Sequence, residues 1–219
     1  NKALRMPTYT DLYISNAVQQ GDASLRPEKN SAFKIGSRYR QTGFSVVLSG
    51  FYTHGKDMID WVQTTETELT DSKYHVMNIG KLDNMGFNVD AEIYMNELLP
   101  RCFVTNIRLG YAYINQNHET ETEILKSLYA LEYLRHKAVF GLDHKIWSKL
   151  SASWSVRWQQ RMNGYHPYTK VDCKVMWNDR KYSVYVKADN ITCHRYYDLS
   201  AVKQPGLWVM AGVSVNLGW

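Results

Sequence analysis

The side chains able to do chemistry in this 219-residue chain gather in a few short stretches. Tyr9 and Tyr13 stand near the start, Tyr165 and His166 adjoin in "NGYHP", and His194, Tyr196 and Tyr197 crowd "CHRYYD". Phenol and imidazole rings of this kind stack on planar ligands and hydrogen-bond to polar ones, with loop packing as the competing use of each. Metal chemistry has little to work with. His136 and His144 share a face but lie about 26 Å apart along an extended chain at ~3.3 Å per residue, too far to hold one ion. His166, Cys193 and His194 could meet only across loops. Cys102, Cys173 and Cys193 form neither a CxxC motif nor an even set, so neither a zinc site nor a disulfide framework is signalled. The expected metal and cofactor complement is none. No Ser and His fall on neighbouring strands facing a common point, so no catalytic site and no enzyme is expected.

The elements that must position these groups read as strands. "LWVMAGVSVNLGW" places Leu207, Val209, Ala211, Val213, Val215, Leu217 and Trp219 on one face and turns small and polar on the other. A period of two is an extended strand with opposite faces. The alternation recurs in Leu150 to Arg161, Tyr168 to Trp177, Lys181 to Asp189 and Asn84 to Met95. Weaker versions run through Ser31 to Arg40, Phe44 to His54, Phe103 to Asn115 and Leu134 to Lys145.

Nine strands result, many of about ten residues, which suits a tilted strand crossing a bilayer better than a sandwich strand of five or six. Composition agrees with an interface: aromatics reach 13%, while no apolar run is long enough for a membrane helix. A net charge of +5 without a basic run is a weak signal for nucleic acid. Short links at Arg40 to Gly43, Asn96 to Arg101, Lys145 to Lys149 and Asn178 to Lys181 alternate with longer ones, notably Asp60 to Lys73, Gln116 to Tyr133 and Ile191 to Gly206. Short turns at one end and long loops at the other are the asymmetry of outer-membrane barrels. At the short-turn end, Tyr39, Phe44, Phe103, Trp177, Tyr182 and Trp219 form an aromatic level. The stretch Ile124 to Leu131 carries Ile124, Leu125, Leu128 and Leu131 at helical spacing, expected as a short loop helix or a strand continued above the membrane.

Parity asks for one strand more, because nine antiparallel strands leave two edges running the same way; Asn1 to Leu4 is expected to be the upper end of a tenth. "LRMPTYTDLY", "LRPEK", "VKADNI", "RYYD", "QPG" and "VSVNLGW" together resemble the C-terminal barrel signatures of TonB-dependent outer-membrane receptors. The resemblance covers essentially the whole chain. Thr192, Cys193 and Leu207 depart from residues common in that family. It implies an all-β fold: an antiparallel transmembrane β-barrel, this chain supplying the C-terminal nine to ten strands of a larger barrel of about 22. Residues 1–30 would be a strand end and extracellular loop, residues 31–219 the nine strands, and the plug domain and TonB box would lie outside the chain.

The implied function is active uptake of a scarce large nutrient, such as a ferric siderophore, haem or cobalamin, energised by TonB across the outer membrane of a Gram-negative bacterium. A passive barrel or porin and a soluble β-rich binding domain are the alternatives. Tyr9, Tyr13, Tyr165, His166, His194, Tyr196 and Tyr197 are then substrate-binding candidates near extracellular ends. Arg38, Asp90, Glu92, Arg108, Lys137, Asp143, Arg157, Lys170, Asp172, Lys174, Lys187 and Asp189 face the lumen as candidates for contacting the plug, with mutual pairing in a wetted interior as their competing use. Val213, Val215, Leu217 and Trp219 resemble the signal read by barrel-assembly machinery. The expected partners are the TonB complex, that machinery, outer-membrane lipid and a small-molecule or metal-chelate substrate, with no nucleic acid.

Overall fold

Alternating sequences of this length can satisfy their backbone only by pairing sideways, and they do so here in one extended sheet. The computed structural model describes residues 1–120, 123–128, 133–162, 166–197 and 203–216. In chain order it runs β1 (Lys2–Arg5), α1 (Tyr9–Tyr13), β2 (Gln19–Gln20), β3 (Glu28–Gln41), β4 (Phe44–Lys56), β5 (Ile59–Thr64), α2 (Thr65–Thr70) and β6 (Tyr74–Asn78). It continues through β7 (Lys81–Tyr94), α3 (Met95–Leu98), β8 (Val104–Glu119), β9 (Ile124–Ser127), β10 (Leu134–Lys145), β11 (Leu150–Arg161), β12 (Tyr168–Asn178), β13 (Tyr182–Asp189) and β14 (Trp208–Val215).

Ten strands form one sheet in the order β1-β3-β4-β7-β8-β10-β11-β12-β13-β14. Every pairing in it is antiparallel. β1 is the tenth strand that parity required. β10 and β11 have the bounds expected from sequence, whereas β3, β7 and β8 run beyond Ser31, Asn84 and Asn115 to Glu28, Lys81 and Glu119. The sheet's edges are β1 and β14.

Register fixes which side chains share a face. One cross-strand row reads Tyr39, Val46, Ala91, Leu109, Phe140, Val156, Val171. The adjacent row, on the opposite face, reads Arg38, Val47, Asp90, Gly110, Val139, Arg157, Lys170. The oily face stays uncovered: Ile35, Leu48, Phe87, Leu109, Phe140, Val186 and Val213 are all exposed, Val213 by 68%. A patch of this size cannot face water in a stable monomer and marks a membrane surface.

A second, four-stranded sheet in the order β2-β6-β5-β9 was not foreseen, because β2, most of β5 and β9 lie in segments expected to be loops and β6 lies in one given no element. Asp60 to Lys73 holds most of β5 and all of α2. Ile124 to Ser127 is a strand on β5 and neither a helix nor an extension of its neighbour, because Ile124 and Leu128 drop onto a core made by β5. Both buried apolar clusters among the described residues form around this sheet: Val62, with Ile79 beyond β6 and Leu82 of β7, in one, and Ile59, Trp61 and Val76 in the other. Asp60 is wholly buried there and satisfied by the Ser127 hydroxyl and the Trp61 backbone N–H. Leu82 belongs to β7 and shares the polar face with Asp90. The Ile59 N–H donates to Glu28 on the same face of β3. The small sheet therefore packs on the polar side of the large one, at its long-loop end.

Candidate functional site

The polar face carries the candidate charges and a hollow of about 490 Å³ lined by Asp90, Glu92, Arg108, Lys137 and small residues such as Ser45, Gly110, Gly141 and Ser155. Most candidates are engaged with one another. Arg108 bridges Asp143 at 3.0 Å, and Glu92 accepts from the Tyr94 hydroxyl and the Asn106 amide, both at 2.7 Å. Lys170 sits 3.3 Å from Asp172, Lys187 2.9 Å from Asp189, and the Lys174 ammonium lies over the Tyr185 ring. Arg38, Asp90, Lys137 and Arg157 have no side-chain partner among the described residues. Gly141 leaves room for the Arg108 side chain, since a Cβ there would lie 2.8 Å from the guanidinium Nε and push it aside.

Above the hollow, toward the long loops, the same face ends in an aromatic stack. Tyr168 opens β12 in the polar-face parity of Lys170 and Asp172; its ring stacks on Tyr196 at 4.5 Å and His194 at 6.0 Å between centroids, and its hydroxyl pairs with Gln159. Asn190 holds the stack in place. It is 2% exposed with φ +54°, its N–H donates to Asp172, its side-chain amide donates to the carbonyls of His194 and Pro205, and its Oδ1 accepts from Thr192 and the His194 N–H. The "DN" and "QPG" stretches are thus the two ends of one clamp.

The other candidates are dispersed, and one expectation is corrected: the register of β3 and β4 does set a Ser opposite a His, Ser31 and His54, although the imidazole bonds Asp83 and not the Ser31 hydroxyl. Tyr9 and Tyr13 pair with each other at 4.9 Å on α1, which is started by a reciprocal Thr8–Asp11 cap, and both rings are exposed. His166 is exposed next to the stack in sequence, and Tyr197 is bridged to Lys203. Val213 and Val215 lie exposed on the oily face of β14. Tyr165, Leu217 and Trp219 lie outside the described residues. Tyr168 and Asn190 escaped the sequence reading; face parity could have flagged the first, while the second is visible only through its loop contacts.

The oily face has a second aromatic level that was also missed. Besides Tyr39, Phe44, Phe103, Trp177 and Tyr182 near the short turns, Tyr52, Phe87, Tyr111, Tyr113 and Trp158 share the same parity near the long loops. His136 hydrogen-bonds the Tyr111 hydroxyl at the upper level, and His144 accepts from the Trp154 indole at the lower one. Phe103 to Tyr113 is roughly 33 Å along a strand, which a tilt near 40° reduces to about 25 Å, the height of an outer-membrane apolar band. The signal was present: applying the parity rule at the far ends of the strands finds this ring.

An oily belt between two aromatic levels, backed by a polar hollow, defines the wall of an antiparallel transmembrane barrel. The chain belongs to the TonB dependent receptor-like, beta-barrel family, whose model matches residues 1–191. Among solved structures it is similar to the copper transporter OprC, with 16% identity and a TM-score of 0.72 over 97% of this chain and 35% of that one. It is also similar to the FrpB iron transporter from Neisseria meningitidis, with 16% identity, a TM-score of 0.65 and coverage of 90% and 31%. The siderophore receptor PirA from Pseudomonas aeruginosa gives 14%, 0.65, 98% and 35%. At these identities the likeness is one of fold. The chain spans about a third of the length of these structures. No curated protein matches it.

Proposed function

We propose that this chain is the C-terminal part of the barrel of an outer-membrane active transporter, which takes up a scarce large nutrient such as a ferric siderophore, haem or cobalamin with energy from TonB. The observation that carries the reading is the pairing of an uncovered oily face with a polar face that keeps Arg38, Asp90, Lys137 and Arg157 unpaired beside a hollow. In this reading the hollow faces a lumen occupied by a plug domain outside residues 1–219, and the free charges bind that plug. The Tyr168–His194–Tyr196 stack lies on cargo's route in from outside. The barrel-assembly machinery would insert the barrel into a Gram-negative outer membrane, where the oily belt meets lipid. The neighbours named for copper, iron and a siderophore support a metal ion or metal chelate as the cargo class.

The test is uptake by the full-length protein in a Gram-negative host grown with radiolabelled ferric siderophore, haem or cobalamin as separate supplies. Accumulation of one cargo that vanishes on deleting TonB is the expected result. Accumulation unchanged by that deletion would make the barrel a passive pore, and recovery of the protein in a salt wash without detergent would make it a soluble binding domain.

A further inference from the structure

The lysines at the long-loop end of the oily face are arranged in a way that folding alone does not favour. Lys29 pairs directly with Lys56 across β3 and β4, and Lys56 pairs directly with Lys81 across β4 and β7. Like charges placed opposite each other in a sheet are destabilising. Adjacent strands are only ~4.8 Å apart, so the three ammonium groups share one small area. All three are exposed. Lys81 is balanced by Glu119 at 2.9 Å, but no carboxylate among the described residues pairs with Lys29 or Lys56. Lys2 adds a fourth exposed cation one row below, opposite Ser31. The nearby carboxylate of Asp83 is already taken by His54 at 2.6 Å and the Tyr52 hydroxyl at 2.8 Å. Four lysines thus face two carboxylates among the described residues, both committed.

The rows beneath say what surrounds this patch. Directly below, on the same face, Phe33, Tyr52 and Met85 form an exposed apolar row at the upper aromatic level. The lysine row stands four residues higher, about 13 Å along the strand at ~3.3 Å per residue, and a lysine stem can bend back over part of that span. Leu82 and Glu28, next to Lys81 and Lys29 in sequence, turn the other way into the small sheet, so the lysines point outward and away from the lumen. Oily side chains, then an aromatic rim, then a row of uncompensated cations is the profile of an acyl layer topped by anionic headgroups.

We infer that Lys29, Lys56 and Lys81, with Lys2, form a binding site for the phosphate groups of an anionic lipid in the outer leaflet. This rests on the outer-membrane reading given above. The ammonium groups neutralise the lipid phosphates, and the phosphates relieve the repulsion between lysines, so lipid and receptor stabilise each other through one contact. The site is separate from cargo binding, which uses the opposite face.

The experiment uses the full-length receptor in a neutral detergent, as wild type and as the double variant K29Q/K56Q, titrated with bisphosphorylated lipid A, dephosphorylated lipid A or inorganic phosphate. Binding is followed by melting temperature and by native mass spectrometry. The expected result is retention of bisphosphorylated lipid A by the wild type and an affinity loss of about fivefold per lysine in the variant, from ~1 kcal/mol per cation near an anionic surface. Without lipid the variant should melt no lower than the wild type, because a repulsion has been removed. Equal binding of phosphorylated and dephosphorylated lipid, equal affinity of the two proteins, or saturation by inorganic phosphate alone would overturn the inference. Membrane insertion is scored separately by spin labels at Val175 and Val213: loss of acyl contact there would overturn the outer-membrane reading itself, whereas normal contact with no phosphate preference would remove only the lipid site.

Discussion

At the scale of single residues, the loop between β13 and β14 depends on Asn190. Its side chain closes four hydrogen bonds while its backbone sits at φ +54°, a region that Gly enters without a Cβ clash and Asn enters with the help of its local side-chain hydrogen bonds, whereas Ala has neither advantage. N190G should therefore lose the side-chain bonds alone, at about 1–3 kcal/mol, and N190A should lose roughly 1 kcal/mol more through strain. Faster tryptic cleavage after Arg195, in the order wild type, N190G, N190A, checks this. A pH effect belongs at the short-turn end. The Lys149 ammonium, 2.7 Å away, and then the Arg180 backbone N–H hold the Asp179 carboxyl below its ordinary range. A lowered folded-state value stabilises above the ordinary aspartate pKa and is lost as pH falls through the folded one, so the link between these two turns opens only in acid. Lys149 is exposed and Asp179 only half-buried, so the effect is small; carbon NMR titration of the Asp179 carboxyl should show its midpoint rising in K149M.

At the scale of elements, the strands that could be read and those that could not differ in what covers them. β10 and β11 alternate because one face is apolar and uncovered while the other is polar, and their bounds follow from sequence alone. β5 reads "IDWVQT" with every residue buried, so it carries no alternation to detect. Ile124, Leu125 and Leu128 fit a helical spacing as well as a short strand, and only the core offered by Val62 and Trp61 decides between them. The candidate site followed the same division. Charges of the polar face were legible from parity, whereas the Tyr168 stack needed a loop to fold back onto a strand end. Two predictions live at this scale. L82A should cost about 2–5 kcal/mol, lost from the small sheet through the cavity it leaves. Hydrogen exchange should then quicken in β5, β6 and β9 while β10 to β12 keep their protection. G43A should destabilise the β3–β4 turn doubly, since Gly43 has φ +76° and an added Cβ would lie 2.4 Å from Leu98. Adding L98A should restore only the steric share, read as a coupling energy in a double-mutant cycle.

At the scale of the whole molecule, the two faces of one sheet must answer to different solvents. Phe140 lies midway between His136 at the upper aromatic level and His144 at the lower, on the oily face, and Val139 beside it faces the hollow. F140R should cost about 2–4 kcal/mol in bilayer unfolding equilibria, and V139R much less, because only the first places a charge in hydrocarbon. Equal costs would mean that both faces see the same medium.

The small sheet carries a consequence for traffic. It is anchored to the polar face of the large sheet through Leu82 and Glu28, and lifting it away would strip Val62 and Trp61 bare to water. On the uptake reading proposed above, the width of the passage along this stretch is set when the chain folds.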